Sequence, residues 1–296
     1  MKVAITGGTG FLGEKVVLFL EKYTSYIPIV LTRGLINSNN KRLSKYVETD
    51  YSVDNLKQAL KNVQAVIHLA SIRGKGGEVK DFHINEVITD NLYKACSELN
   101  IKNIVFASSI AVYSETDEIP WTEEQIVKPK TFYGISKVSC EYIGELYHKK
   151  SGLNIKSLRI AQILGEEERK GMMNTFIDNA HQGEPLKVIG KSIAKREFVY
   201  VKDVVKAIIL ALKNEQIHGS YNIGNNVSYS NLEIAETVSK VFNNSEIVYI
   251  DALNEDIESS LMDSSKAEKV LGYSPKWGLK EALEDIKNTK QENKNV

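Results

Sequence analysis

The chain has 296 residues, with 38 Lys and Arg balancing 38 Asp and Glu, 42% apolar residues and 26% charged ones. This length suits one large α/β domain, or a domain plus a smaller lobe, and the composition excludes a disordered or fibrous chain. A formal charge of zero argues against a general nucleic-acid binder, which needs excess basic groups, but leaves room for a small anionic ligand met by local charge.

Cys96 and Cys140 are the only cysteines, and they lie far apart, so neither a disulfide scaffold nor a zinc site is expected and no metal is assigned. The opening run Met1-Lys2-Val3-Ala4-Ile5 is too short for a signal segment and reads as a first strand. No apolar stretch reaches the length of a membrane span. The expected setting is the cytoplasm, with no membrane and no nucleic acid among the partners.

Short β-rich runs alternate with helical patterns through the first half, the signature of a parallel sheet with crossover helices. Strands are predicted at Lys2–Thr6, Ile27–Thr32, Ala65–Ala70, Asn103–Ser108 and Ile155–Ile160, and helices at Gly10–Glu21, Ser52–Lys61, Asn85–Glu98 and Tyr133–Lys150. In the first helix Leu12, Val16, Val17 and Leu20 recur at helical spacing and should face the sheet. Residues 166–193 are charged and irregular, with Gly171, Gly183, Pro185 and Gly190 as turn signals. Phe198–Leu212 returns to strand plus helix; short helices and a strand at Glu246–Ile250 follow, and the polar tail from Lys287 is expected to fray.

Directly after the first strand stands Thr6-Gly7-Gly8-Thr9-Gly10-Phe11-Leu12-Gly13. Glycines at 7, 10 and 13 permit a tight turn and close backbone approach, so that a pyrophosphate can rest on a helix N-terminus. The strand–turn–helix context supports dinucleotide binding over a ligand-free turn. NAD-binding domains of this kind usually carry an acid about 20 residues on, against the ribose. Here the second strand ends Leu31-Thr32-Arg33-Gly34, without one. Arg33 suits a 2′-phosphate and points to NADP; alternatively it stacks on adenine or is merely solvated.

Tyr133 and Lys137 in Tyr133-Gly134-Ile135-Ser136-Lys137 lie at i and i+4, on one helix face. A phenol with an unperturbed pKa of about 10 is a poor base near neutrality. A neighbouring ammonium stabilises the phenolate, so the pair can exchange a proton with a hydroxyl while hydride leaves the same carbon. With 14 tyrosines in the chain, such a spacing alone carries little. It gains weight from Ser108-Ser109 at the end of a predicted strand, where an open α/β sheet places ligands. Ser109 can bond the same substrate oxygen; its bland alternative is a helix cap or turn.

These motifs, with His68-Leu69-Ala70-Ser71, Ser108-Ser109-Ile110-Ala111-Val112-Tyr113, Leu158-Arg159, Arg196 to Val204 and Leu271-Gly272-Tyr273-Ser274-Pro275 in order, make the chain resemble extended short-chain dehydrogenases/reductases. The resemblance is to the NAD-dependent epimerase/dehydratase group acting on nucleotide sugars, and it covers nearly the whole chain. It implies an α/β fold: a Rossmann-type doubly wound parallel sheet with a smaller C-terminal α/β substrate domain. The dinucleotide-binding domain would comprise 1–165 plus 194–224, and the substrate domain 166–193 plus 225–296.

The resemblance further implies a catalytic triad of Ser109, Tyr133 and Lys137. Cofactor contacts would come from Gly7, Gly10, Phe11, Leu12, Gly13, Thr32, Arg33, Asp50, Tyr51, Leu69, Ala70, Ser71, Arg73, Ser108 and Ile160 as well as Tyr133 and Lys137. Asp50 and Tyr51 match the adenine-contacting pair, unless Asp50 only caps the next helix. Arg196 matches an arginine that grips the substrate diphosphate, unless it pairs with Glu197 or Asp203. Gln162 stands where an Asn usually touches the sugar. Ile110 and Ala111 replace the acids that 4,6-dehydratases need, which argues against dehydration. Ser260 occupies a gate position where a small side chain leaves room for an N-acetylhexosamine, whereas Leu253 stands where a second diphosphate-binding arginine is expected.

Three readings follow: a nucleotide-sugar 4-epimerase on UDP-N-acetylglucosamine or UDP-glucose, an NADPH-dependent 4-ketoreductase, and a non-catalytic dinucleotide sensor. Ser260 speaks for the first and Thr32-Arg33 for the second; the intact Ser/Tyr/Lys set opposes the third. NAD and NADP both remain open. The resemblance also implies a homodimer through helices near 85–98 and 133–150.

Overall fold

The computed structural model describes residues 1–34, 44–74, 76–113, 118–166, 171–242, 245–252 and 259–294. Leu253 lies outside the described residues. The central sheet has seven strands: β1 (Lys2–Thr6), β2 (Ile27–Thr32), β3 (Lys45–Glu48), β4 (Ala65–His68), β5 (Asn103–Ser109), β6 (Asn154–Ile160) and β10 (Gly219–Ile223). Their spatial order is β10-β6-β5-β4-β1-β2-β3 and every pairing is parallel. This is a Rossmann-like doubly wound sheet. Strands covered on both faces read as near-continuous apolar runs, which is why Val3–Ile5, Val66–Ile67 and Ile104–Val105 are all fully buried.

Helices α1 (Phe11–Tyr23), α2 (Val53–Ala59), α3 (Val79–Glu98), α4 (Phe132–Ser151) and α6 (Val201–Lys213) flank this sheet. The buried stripe of α1 is Gly13, Val16, Val17 and Leu20; Leu12 is only partly buried and touches two apolar clusters. Helix α3 begins at Val79, six residues before the expected Asn85, because Glu78 and Asp81 form a capping box there.

The second half holds β7 (Gln162–Leu164), α5 (Met172–Gln182), β8 (Leu186–Ile189), β9 (Lys195–Tyr200), β11 (Ser228–Ser230), α7 (Asn231–Val241), β12 (Ile247–Ile250), α8 (Ser265–Leu271) and α9 (Leu279–Lys294). Strands β11, β9 and β7 form a second sheet, and β12 with β8 a third. The stretch expected to be irregular thus contains a helix, α5, framed by the two glycines that read as turns, Gly171 before it and Gly183 in the left-handed conformation after it. The tail does not fray at Lys287: α9 runs on to Lys294, and Leu279, Ala282, Leu283 and Ile286 are buried against α7 residues such as Ile234 and Val238.

Strand β9 divides its faces. Val199 joins the apolar cluster of the large sheet, whereas Phe198 and Tyr200 join the cluster built from α5, α7 and α9. Helix α8 contributes Ala267 and Leu271 to the large sheet's cluster.

Candidate active site

Because β1, β2, β4, β5 and β6 run parallel, the loops that leave their carboxyl ends gather along one edge of the sheet. The winding direction reverses between β1 and β4, and such a reversal opens a crevice for a ligand. The loops after β1 and β4 meet there: a Cβ on Gly7, whose φ is +69°, would lie 2.7 Å from the Ala70 amide nitrogen.

Thr6 ties the two loops together. Its Oγ1 accepts from the Leu69 (3.2 Å) and Ala70 (3.1 Å) amides, so its own proton goes to His68 Nδ1 at 2.6 Å. That fixes the imidazole as the Nε2–H tautomer, which donates to Thr89 Oγ1 at 3.0 Å, and Thr89 donates in turn to the Asn85 carbonyl at 2.6 Å. Burial, followed by the charge of Lys137, pushes the His68 pKa down to about 3, so the ring is neutral at physiological pH. The Asn85 side chain grips Ile72 through both its amide N–H (2.8 Å) and its carbonyl (3.0 Å) and donates to Ser136 Oγ at 3.1 Å. Leu69, Ala70, Ser71 and Arg73 are carried on the loop held this way; Ser71 Oγ donates to the Ile72 carbonyl at 3.2 Å.

The glycine loop fits a dinucleotide. Gly13 is forced by the protein itself, since a Cβ there would stand 2.1 Å from the Gly7 carbonyl oxygen. Gly10 is not: its φ is −87° and a Cβ would meet nothing closer than 3.4 Å. Gly10 is exposed and α1 has no side-chain cap, which leaves its N-terminus without a capping side chain, as an anion site would require. Phe11 packs elsewhere, its ring against Gly165.

At the next two strand ends, Thr32 accepts the Thr49 amide at 2.9 Å, which brings exposed Arg33 and Asp50 to the same corner. Asp50 accepts from the Ser52 amide at 2.8 Å, and its hydrogen bonds to Ser52 and Asn55 hold its pKa at about 2. Tyr51, by contrast, has φ +63° and is 5% exposed. Its phenol turns inward and donates to the Leu31 carbonyl at 3.3 Å, a buried placement for a residue expected to touch adenine.

Helix α4 carries Tyr133 and Lys137, the pair expected to be reactive. Thr131 caps it by accepting the Gly134 amide at 3.0 Å. A Cβ at Gly134 would lie 2.5 Å from the Ala111 carbonyl oxygen, so the first turn of α4 is pressed onto the short 3-10 turn, Ile110–Val112, that Ser109 caps at 3.2 Å. Tyr133 is half-buried. Lys137 is 2% exposed, donates to the Ala107 carbonyl at 2.7 Å and lies 5.7 Å from the Tyr133 ring centroid. A buried ammonium is thus fixed beside a half-accessible phenol, on a helix whose first turn packs against the short turn that follows Ser109.

Ser108 and Ser109 point to opposite sides of the strand. The Ser108 hydroxyl donates to Glu141 Oε1 at 2.5 Å, so it serves the helix contact. Ile160 is a core residue, 5% exposed, paired with Ser109 and Ile223. Glu141 follows Lys137 at another helical repeat and, with no role signalled by the sequence, forms a buried ion pair with Arg159 at 2.7 Å.

Ser260 and Arg196 come together along β9. The Ser260 amide donates to the Lys195 carbonyl (2.8 Å), and Ser260 Oγ accepts the Glu197 amide (3.3 Å). Exposed Gln162 lies opposite Phe198 in the β7–β9 register. The acids suggested as partners of Arg196 are engaged with backbone. Glu197 accepts from the amides of Asn225, Asn226 and Met262, each at 2.8 Å, and burial pushes its pKa up to about 7 against those three donors. Asp203 accepts from Lys276 and Trp277. Among the described residues no helix is long and apolar enough to cross a membrane.

Comparison with known proteins agrees with this architecture. A crystal structure of UDP-N-acetylglucosamine 4-epimerase from Bacillus cereus is 41% identical, covering 98% of this chain and 96% of that one at a TM-score of 0.90. UDP-glucuronic acid 4-epimerase from the same species, solved in complex with NAD, is 25% identical with coverages of 98% and 99% and a TM-score of 0.85. The dTDP-4-dehydro-6-deoxyglucose reductase of Escherichia coli is 27% identical, covering 96% of each chain. The model of the NAD dependent epimerase/dehydratase family matches residues 3–224, and with that match the chain belongs to this family of enzymes.

Proposed function

We propose that the protein is a nucleotide-sugar 4-epimerase acting on a UDP-hexose, with UDP-N-acetylglucosamine the first substrate to test. The observation that carries the reading is the buried Lys137 ammonium, pinned to the Ala107 carbonyl and set beside the Tyr133 ring. The 41% identical relative is named for the same reaction.

The loop at Gly7–Gly13, Arg33, Asp50 and the Leu69–Arg73 segment would hold the dinucleotide, whose nicotinamide, when bound, accepts a hydride and returns it. Tyr133 takes the proton of the sugar 4-hydroxyl as the carbon–hydrogen bond breaks, and Lys137 stabilises the phenolate that does so. Ser109 donates to the developing ketone oxygen, where a positioned hydrogen bond is worth most. Arg196, Ser260 and Gln162 would hold the nucleotide sugar on the far wall. The 4-keto sugar then turns over, and Tyr133 returns the proton after hydride has reached the other face.

The two lobes proposed are 1–165 plus 194–224 and 166–193 plus 225–296, with β9 contributing to both cores and α8, from the second lobe, packing into the core of the first. A homodimer is supported by exposed Ile84 and Val87 on α3 and Ile135, Tyr142 and Leu146 on α4, apolar stripes at helical spacing that solvent does not favour. Two buried free thiols accord with a cytoplasmic setting.

A second reading, an NADPH-consuming 4-ketoreductase, is favoured by Arg33 in place of an acid at the ribose corner. One experiment separates them: denature the purified protein and identify any dinucleotide released. Retained NAD, with interconversion of UDP-N-acetylglucosamine and its 4-epimer, supports the epimerase. Empty protein that oxidises NADPH with a 4-keto sugar nucleotide overturns it. Tyr133→Phe should lower turnover about 10²–10⁴-fold while leaving dinucleotide binding in place, and unchanged turnover would sink the site assignment.

A further inference from the structure

A continuous buried chain of polar groups runs from the catalytic helix to the segment carrying Ser260. It starts at Glu141, on the face of α4 that bears Tyr133 and Lys137. Glu141 Oε2 accepts from Arg159 Nη2 at 2.7 Å. Arg159 Nη1 donates to the Tyr113 phenol at 2.6 Å, and that phenol donates to Asn222 Oδ1 at 2.8 Å. Asn222 Nδ2 donates to the carbonyls of Trp121 (2.9 Å) and Asp263 (3.1 Å). Tyr113 and Asn222 are both 0% exposed.

Every donor and acceptor in this chain is assigned without ambiguity. Guanidinium can only donate, so the phenol accepts from it and spends its single proton on Asn222. Two carbonyls oppose Asn222 Nδ2, which fixes the amide orientation. The far end is rigid as well: Trp121 and Met262 form a parallel bridge, the Trp121 amide donates to Leu261 (2.8 Å), and the Asp263 amide donates to Trp121 (2.8 Å). The indole of Trp121 stacks on the Tyr113 ring at 5.4 Å. The segment 260–263 is therefore held from one side by Asn222 and from the other by Lys195 and Glu197 of β9.

We propose that Tyr113 is a positioning residue for the nucleotide sugar: its hydroxyl registers the wall carrying Ser260 and Arg196 against the helix carrying Tyr133 and Lys137. This rests on the reading of that wall as the substrate side. The Tyr113→Phe variant keeps the ring, its stack on Trp121 and its place 5.0 Å from the Arg159 guanidinium, and removes only the oxygen that accepts from Arg159 and donates to Asn222. Asn222 Oδ1 then loses the phenol proton and Arg159 Nη1 its 2.6 Å acceptor, and a buried group deprived of its partner tends to relax toward another arrangement.

The test is a titration of wild type and Tyr113→Phe with UDP-N-acetylglucosamine and, separately, with NAD, alongside turnover. The expected result is a Kd and KM for the nucleotide sugar raised about 10-fold, with NAD affinity within twofold of wild type. Asn222→Asp, which loses the donors to Trp121 and Asp263, should move the same constant, and the double variant should add little to either single one. Unchanged sugar-nucleotide affinity in a folded Tyr113→Phe protein, or equal losses for both ligands, overturns the inference. A wild-type protein that binds no sugar nucleotide overturns the substrate-wall reading as well, which distinguishes the two failures.

Discussion

Gly13 packs so tightly on Gly7 that a Cβ at position 13 would stand 2.1 Å from the Gly7 carbonyl oxygen, whereas at Gly10 the nearest protein atom is 3.4 Å from such a Cβ. Two glycines of one motif therefore answer to different constraints. Gly13→Ala should destabilise the fold by at least about 1–3 kcal/mol, the usual range for overpacking. Gly10→Ala should leave urea stability unchanged or raised by up to about 1 kcal/mol yet weaken NAD binding at least about tenfold, because the methyl group occupies the space a pyrophosphate needs. A Gly10→Ala protein that binds dinucleotide like wild type would show that nothing approaches this turn.

The Glu141–Arg159 pair is buried on both sides, at 9% and 7% exposure, and Glu141 also accepts from Ser108 and Ser220. Removing one partner strands a charge. Glu141→Ala is expected to cost about 3–5 kcal/mol in urea denaturation, and Glu141→Leu combined with Arg159→Met should recover a large part of it. A single-variant loss below about 1 kcal/mol would mean the pair is solvated.

Lys156 is 0% exposed, donating to Asn103 Oδ1 at 2.6 Å and the Asn154 carbonyl at 3.1 Å. Burial, only partly offset by Glu215, pushes its pKa down from 10.5 to about 7. Between those two values the unfolded chain binds more protons than the folded one, so stability rises as pH climbs from 7. The buried Cys96 thiol, raised above its ordinary 9.0, acts in the opposite sense above pH 9. The urea midpoint should therefore increase from pH 7 to 8.5, and Lys156→Met should flatten that increase. An identical slope in the variant would assign it to other groups.

Much of the large sheet is legible in the sequence because its central strands are buried on both faces and read as unbroken apolar runs. The edge strands hide. Lys45–Glu48 and Gly219–Ile223 are short and carry Lys, Glu, Ser and Asn, since one side of each meets no further strand. The start of α3 hides for another reason: Val79–Ile84 includes Lys, Asp and His, and its helicity comes from a capping box rather than a periodic apolar face. In the site, the Tyr133–Lys137 spacing is readable because both residues share one helix. Glu141 continues the same spacing, but its meaning depends on Arg159 from β6 and Ser108 from β5, partners that only the fold supplies. The inward turn of Tyr51 is equally invisible, because its left-handed backbone carries no marker such as glycine.

On the proposed reading, the corner formed by Arg33 and Asp50 would decide which dinucleotide is favoured. Arg33 ends β2 and offers a planar, permanently charged fork suited to a phosphate. Asp50, held ionised with a pKa of about 2 by its bonds to Ser52 and Asn55, repels a 2′-phosphate and can accept from a ribose hydroxyl. If Arg33 reads the phosphate, Arg33→Ala should weaken NADP about tenfold or more while changing NAD less than about threefold, and the difference should shrink as salt screens the exposed charge. Asp50→Asn should do the reverse, lowering NAD affinity and easing NADP binding. Titration of both variants with both dinucleotides checks this directly. Equal losses on Arg33→Ala would mean that the arginine only stacks or is solvated, that Asp50 governs the corner, and that retained NAD, as the epimerase reading requires, is the cofactor to expect.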